Sequence, residues 1–337
     1  MSLDLALRAS VGLLPVVLFL AAMRLFDSYK LVQLRVTLGV IAAGALAAGV
    51  SYLVSSAVLG NVAIEFKLYS RYVAPLIEEL LKAAIVVWLI RRHRVAFLVD
   101  AAICGFAVGA GFAMVENVYF LRMLPDAPLG TWIVRGFGTA IMHGGATALF
   151  GILGLILSER SGRTTLLSLV PGWLLAALLH SAYNHFFFSP MLATVGILMI
   201  LPPLVLLVFD RSEASLEQWL EGGFDADTEL LELINSGTLS DSKVGHYLES
   251  LKAHFEGPVV ADLLCYLRIR TELALRAKGI LMMRESGFES APDESTRESF
   301  AEMEYLESSI GRTGLLAIKP FLRMSRKDLW QLYQIKH

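Results

Sequence analysis

Between residues 1 and 209 the chain is a succession of apolar runs long enough to cross a bilayer, and nothing else about it limits the fold so strongly. A hydrocarbon core about 30 Å thick takes roughly 18 or more apolar residues as one helix. Only helices and closed barrels satisfy their backbone groups there. Runs at about 9–26, 34–59, 72–90, 95–121, 132–157, 164–187 and 190–209 meet that length. The reading is an all-α, polytopic membrane helix bundle of about seven spans. The first run contains Pro15, is followed by Arg24 and Lys30, and lacks a small-residue cleavage site. It therefore reads as a retained span and not a signal peptide.

Residues 210–337 have a different composition, which predicts a transmembrane domain over 1–209 and a soluble helical domain over 210–337. In "SDSKVGHYLESLKAHFEG" Ser240 or Asp241 is placed to cap a helix that stops at Gly257. A second helix starts at Pro258, and a polar loop around 286–297 precedes a third over "SFAEMEYLESSI". His246 and His254 lie on a polar helix and read as solvated. A net charge of −2 and a pI near 6.4 give no sign of a nucleic-acid partner, and none is expected. Cys104 lies in an apolar run and Cys265 in the polar tail, so no structural disulfide is expected.

Positive charge in the joints sets the orientation. Joints one, three and five hold Arg24, Lys30, Arg35, Arg91, Arg92, Arg94, Arg160 and Arg163. The alternate set holds Arg8, Lys67, Arg71, Arg122 and Arg135. The bias predicts an outside N-terminus and a cytoplasmic C-terminal domain.

Against this background the run "YVAPLIEELLKAAIVVWLI" (72–90) is anomalous, because it carries Glu78 and Glu79 side by side with Lys82 one turn on. Ionisable groups inside spans are costly and rare, and they usually face the protein interior or a wet cavity. The other such places are Glu116 with Asn117, His143, and His180 with Asn184. At 1.5 Å per residue, Glu78 and Glu116 lie roughly 9 and 8 Å from the outer ends of their runs, and His180 and His143 roughly 11 and 16 Å. Groups far apart in sequence thus share the outer half of the membrane. Runs four and five are rich in glycine (Gly105, Gly109, Gly111, Gly136, Gly138, Gly144, Gly145), which lets membrane helices approach backbone to backbone. Pro75 is expected to free backbone carbonyls near the glutamates.

Each group has a structural alternative. Glu78 and Lys82 make a neutralised pair, His143 a core histidine bonded to a carbonyl, and Asn117 and Asn184 interhelical glue. The functional reading rests on their conjunction. Carboxylates and histidines in a wet membrane cavity suit activation of water, and a histidine with a carboxamide suits stabilisation of an oxyanion. The same groups suit zinc, although the His-Glu-x-x-His helix is absent. A proton- or cation-coupled transporter is the competing class, although no inverted repeat is evident. A signalling scaffold is a third.

"PLIEELLK", "GAGFAMVEN", "MHGGATALFG" and "LLHSAYN", in that order over roughly 70–190, resemble the PrsW family of intramembrane proteases, which is related to the CAAX prenyl-protease and Abi proteins. Phe112-x-x-x-Glu116 stands where the CAAX branch has Phe-x-x-x-His, which argues against a prenylated substrate. The resemblance implies a multi-pass protease of the bacterial inner membrane that cleaves membrane-anchored proteins of the anti-sigma-factor kind. Members have been described both as metalloproteases and as glutamic proteases. The expected catalytic set is Glu78, Glu79, Glu116, His143, His180 and Asn184. One of the paired glutamates is the base, assisted by Glu116 and His143, with His180 and Asn184 at the oxyanion. Adjacent glutamates supply a base unaided, so no cofactor is expected. If zinc is used instead, its ligands come from Glu79, Glu116, His143 and His180.

Overall fold

The structure, a computed structural model, describes residues 3–161, 164–288, 292–322 and 325–336. Arg163 of the fifth joint, part of the 286–297 loop and the C-terminal His337 lie outside the described residues. Among the described residues every regular element is a helix. Two compact units form, Met1–Ser212 and Glu213–His337.

The first unit contains α1 (Leu3–Phe26), α2 (Leu34–Asn61), the single turn α3 (Phe66–Leu68), α4 (Ala74–Arg91), α5 (Leu98–Met123), the short α6 (Leu129–Ile133), α7 (Ala140–Arg160) and α8 (Leu166–His185). The helix α9 (Pro190–Asn235) begins in this unit and ends in the other. Among the described residues, six helical stretches are long and apolar enough to span a bilayer. This is a polytopic membrane helix bundle. The expected seventh, α4, falls short of that measure: its 18 residues include Glu78, Glu79, Lys82 and Arg91. The helix that carries the last run does not stop at residue 209 but continues to Asn235. Leu and Glu, strong helix formers, are the commonest residues after Asp210, so polarity changes there while the backbone does not.

Two helices form the centre of this unit. Of the apolar window of α5, 83% is buried, and of that in α7, 72%, against 22% for α1. Glycines let them meet. A Cβ at Gly105 of α5 would lie 2.7 Å from the Thr147 carbonyl oxygen, and one at Gly109 would collide with the His143 carbonyl. The backbone of His143 therefore rests directly on α5. Close approach of this kind replaces the hydrophobic drive that lipid cannot supply between helices.

A π-helical turn over Tyr69–Val73 leads into α4, with Pro75 in the first turn of the α-helix. Proline has no N–H, so the carbonyls four and five residues back, Arg71 and Ser70, lose their helical donor. Both are satisfied from α8: Ser181 Oγ donates to the Arg71 carbonyl at 2.6 Å and Asn184 Nδ2 to the Ser70 carbonyl at 2.9 Å. The start of α4 is thereby pinned to α8, one turn from the paired glutamates.

The second unit adds α10 (Lys243–Leu251), α11 (Gly257–Glu285), α12 (Glu294–Ile318) and α13 (Arg326–Lys336). Their apolar faces share one core around Leu263, Leu267, Leu273, Phe300 and Ile318. Capping falls one or two residues past its expected place: Ser242 accepts from Gly245 N, while Ser240 and Asp241 sit in a 3₁₀ turn. Lys278, wholly buried, pairs with Asp227 and lies over the Trp219 ring. His246 and His254 are exposed, and both cysteines are free.

Candidate active site

Four helices bring Glu78, Glu79, Glu116, His143 and His180 together. The carboxylate of Glu79 (α4) is interior, with its side chain 1% exposed. It receives Lys82 Nζ at 2.5 Å and His180 Nδ1 at 2.8 Å on one oxygen. Lys82, wholly buried, donates a second hydrogen bond to His143 Nδ1 at 3.0 Å and lies over the Phe112 ring. On its other side, His143 Nε2 is 2.9 Å from Glu116 Oε2. The two imidazoles meet edge to face, their centroids 4.7 Å apart.

These contacts fix the tautomers. An ammonium has donors only, so His143 Nδ1 accepts from Lys82 and the ring proton sits on Nε2, donated to Glu116. A carboxylate has acceptors only, so His180 carries its proton on Nδ1, toward Glu79. The lone pair of His180 Nε2 is then left open, 3.8 Å from Glu78 Oε2. Glu78 and Glu116 have side chains 18% and 28% exposed. They are the carboxylates with some exposed surface, and Glu79 is the one with almost none.

Three expectations change here. Lys82 neutralises Glu79 three residues back and not Glu78, because the 2.5 Å contact lies along the buried face of α4. Asn184 stays apart from the cluster with its amide on the Ser70 carbonyl, since Pro75 leaves that acceptor vacant. The acidic group that converges with the two histidines is Glu78 and not Glu79, which Lys82 and His180 already occupy. Asn117 is interhelical glue: its Nδ2 donates to the Gly12 carbonyl of α1 at 2.7 Å.

Arg135 escaped the sequence reading, where it counted only as a joint charge. Its Nη2 lies 3.1 Å from Glu116 Oε1, and its Nε donates to Asn117 Oδ1 at 2.9 Å. The signal was present in the sequence, since residue 135 falls inside the apolar run 132–157 and a charge in a span is a functional candidate by default.

The residues fit a metal ion. Glu78, His143 and His180 each offer one ligand atom within 4.8 Å of the others, a Glu/His/His donor set of the kind found in catalytic zinc sites. Glu79 would orient His180 from behind, as carboxylates do for metal-bound imidazoles. Among the described residues, three carboxyl groups here meet two fixed cations, Lys82 and Arg135. His143 would join through Nε2 only with its ring proton moved to Nδ1, taken from Lys82, and the Nε2 proton released, in keeping with the proton release that accompanies metal binding.

A family model described as PrsW family intramembrane metalloprotease matches residues 29–208, more than half of the chain. No curated protein and no solved structure matches it.

Proposed function

The chain belongs to the PrsW family of intramembrane proteases, and from that membership we propose that it hydrolyses peptide bonds of membrane-anchored proteins at the Glu78–His143–His180 cluster. The observation that carries the reading is the convergence of these three side chains from three helices, within 4.8 Å, beside the partly exposed carboxylate of Glu116. Membership in a protease family favours hydrolysis over carriage of a proton or cation through the same groups. We read α4 as the seventh span and place the protein in the bacterial inner membrane, N-terminus outside and C-terminal unit cytoplasmic. An anti-sigma-factor-like single-span protein is the expected substrate class.

Within the site each residue has a task. Glu79 and Lys82 hold the two imidazoles in fixed tautomers. Glu78, His143 and His180 form the centre where water and the scissile carbonyl meet. A zinc-class ion bound there would lower the pKa of a bound water and polarise the carbonyl. Glu116, open at its edge and bonded to His143, is placed to take the proton of the attacking water and return it to the departing amine. Asn184 is outside this scheme.

A metal-free reading has one observation in its favour: both ring nitrogens of His143 are engaged by protein groups. Glu78 would then be the base and His180 Nε2 its partner. Metal analysis of purified protein beside cleavage of a single-span substrate in chelator separates the two. Loss of cleavage with the metal, restored by zinc, supports the first; undiminished cleavage by metal-free protein supports the second.

A further inference from the structure

Glu116 is 28% exposed at the edge of the cluster, and an acid side chain there has several rotamers open to it unless something holds it. The holder is Arg135. It lies on the π-helical turn Val134–Thr139 that leads into α7, two turns before His143. Its side chain is 13% exposed, and its guanidinium lies 3.8 Å from the centroid of the Phe120 ring. The planar fork meets two residues of α5 at once, Nη2 at Glu116 Oε1 and Nε at Asn117 Oδ1. Asn117 is fixed in turn by its bond to the Gly12 carbonyl. Gly12 belongs to α1, which lies outside the matched residues 29–208. The support of the site thus runs from α1 through Asn117 and Arg135 to Glu116, and from there to His143.

We propose that Arg135 is a positioning residue of the protease: by holding one oxygen of Glu116 it aims the other at His143 Nε2, fixing both the carboxylate and the imidazole it touches. Arginine suits this place because its rigid planar fork presents donors to Glu116 and Asn117 in one fixed geometry, whereas the ammonium of lysine is a compact charge on a flexible stem. The consequence for turnover rests on the protease reading above; the consequence for His143 does not.

The experiment therefore has two arms. In full-length protein carrying ¹⁵N-histidine in lipid nanodiscs, the His143 ring signals are those that vanish in His143→Gln. Arg135→Met is expected to move them to the position produced by Glu116→Gln, and Arg135→Lys to move them less. In proteoliposomes holding a single-span model substrate, Arg135→Met is expected to lower kcat about 10²-fold, the scale of a 1 Å misplacement. KM should stay within about threefold, and Arg135→Met combined with Glu116→Gln should be no slower than Glu116→Gln alone. His143 signals left at their wild-type position in Arg135→Met, or losses that multiply in the double variant, overturn the proposal. If Arg135→Met does not fold, Arg135→Lys alone and with Glu116→Gln is read in the same way. Should wild-type protein leave the substrate uncut, the protease reading fails, and the histidine signals still decide the role of Arg135.

Discussion

Lys82 Nζ lies 2.5 Å from Glu79 Oε1, and this contact places two adjacent glutamates in different surroundings. Glu79 is neutralised in the interior; Glu78 keeps some exposed surface. Removing one partner of such a pair leaves a buried charge uncompensated, at about 3–5 kcal/mol. Lys82→Met should therefore lower thermal stability in detergent far more than Glu78→Gln does, and combining it with Glu79→Gln should recover part of the loss. Equal stability of Lys82→Met and wild type would mean that the pair does not hold the bundle.

Asn184 and His180 share a helix face yet serve different partners, the Ser70 carbonyl and Glu79. The sequence reading has them act as one unit, in which case a double variant loses less than the product of the two single losses. The structure predicts the reverse. Asn184→Ala should forfeit about 1 kcal/mol of stability for one hydrogen bond and leave turnover within about tenfold. His180→Ala should abolish cleavage, and residual activities in a double-mutant cycle with a weaker His180→Gln should multiply.

Gly109 is where α5 touches the backbone of His143. A Cβ there would lie 2.7 Å from Gly144 Cα. Gly109→Ala forces the helices apart, with an overpacking penalty of about 1–3 kcal/mol and displacement of His143. Turnover should fall more steeply than stability, whereas Gly39→Ala, with nothing within 4 Å, should change neither. Unimpaired cleavage by Gly109→Ala would show that the close approach is dispensable.

How much of this was legible beforehand follows from what a sequence can express. Apolar length gave the spans, and the rarity of charge inside them gave Glu78, Glu79, Glu116, His143 and His180, because each violates a strong rule about hydrocarbon. The division of labour between Glu78 and Glu79 was hidden, since adjacent residues point about 100° apart on a helix and only the packing decides which one faces inward. The contact of Asn184 was hidden for a related reason. Its partner is a backbone carbonyl that Pro75 cannot serve, and a vacant carbonyl has no letter in the sequence. Helix was expected on both sides of residue 209, and what the sequence did not show is that one unbroken helix, α9, runs across the change of polarity.

In the joint between α1 and α2, burial raises the Asp27 carboxyl from 3.8 to about 6, with Val32 N–H and nearby cations opposing the shift. A raised folded value means the folded state keeps its proton while the unfolded chain loses it. Asp27 therefore withdraws stability as pH rises from about 4 to about 6, and the penalty is constant above that. Asp27→Asn should be more stable than wild type at pH 7.5 and lose most of that advantage at pH 4. An advantage that grows on acidification would reverse the sign.

The orientation is checked by reporters. A reporter on the C-terminal unit should be cytoplasmic, and one inserted in the joint 122–131 should be outside, as the lysine and arginine bias requires. The opposite pattern would place the site in the inner half of the membrane.

The account stands most directly on Glu78. Wild-type protein and Glu78→Gln, purified and reconstituted with a single-span substrate, are compared for cleavage rate and bound metal. The prediction is about one zinc-class ion per wild-type chain, cleavage that stops in chelator, and loss of both ion and cleavage in Glu78→Gln. Cleavage by Glu78→Gln at the wild-type rate would contradict the assignment of the site.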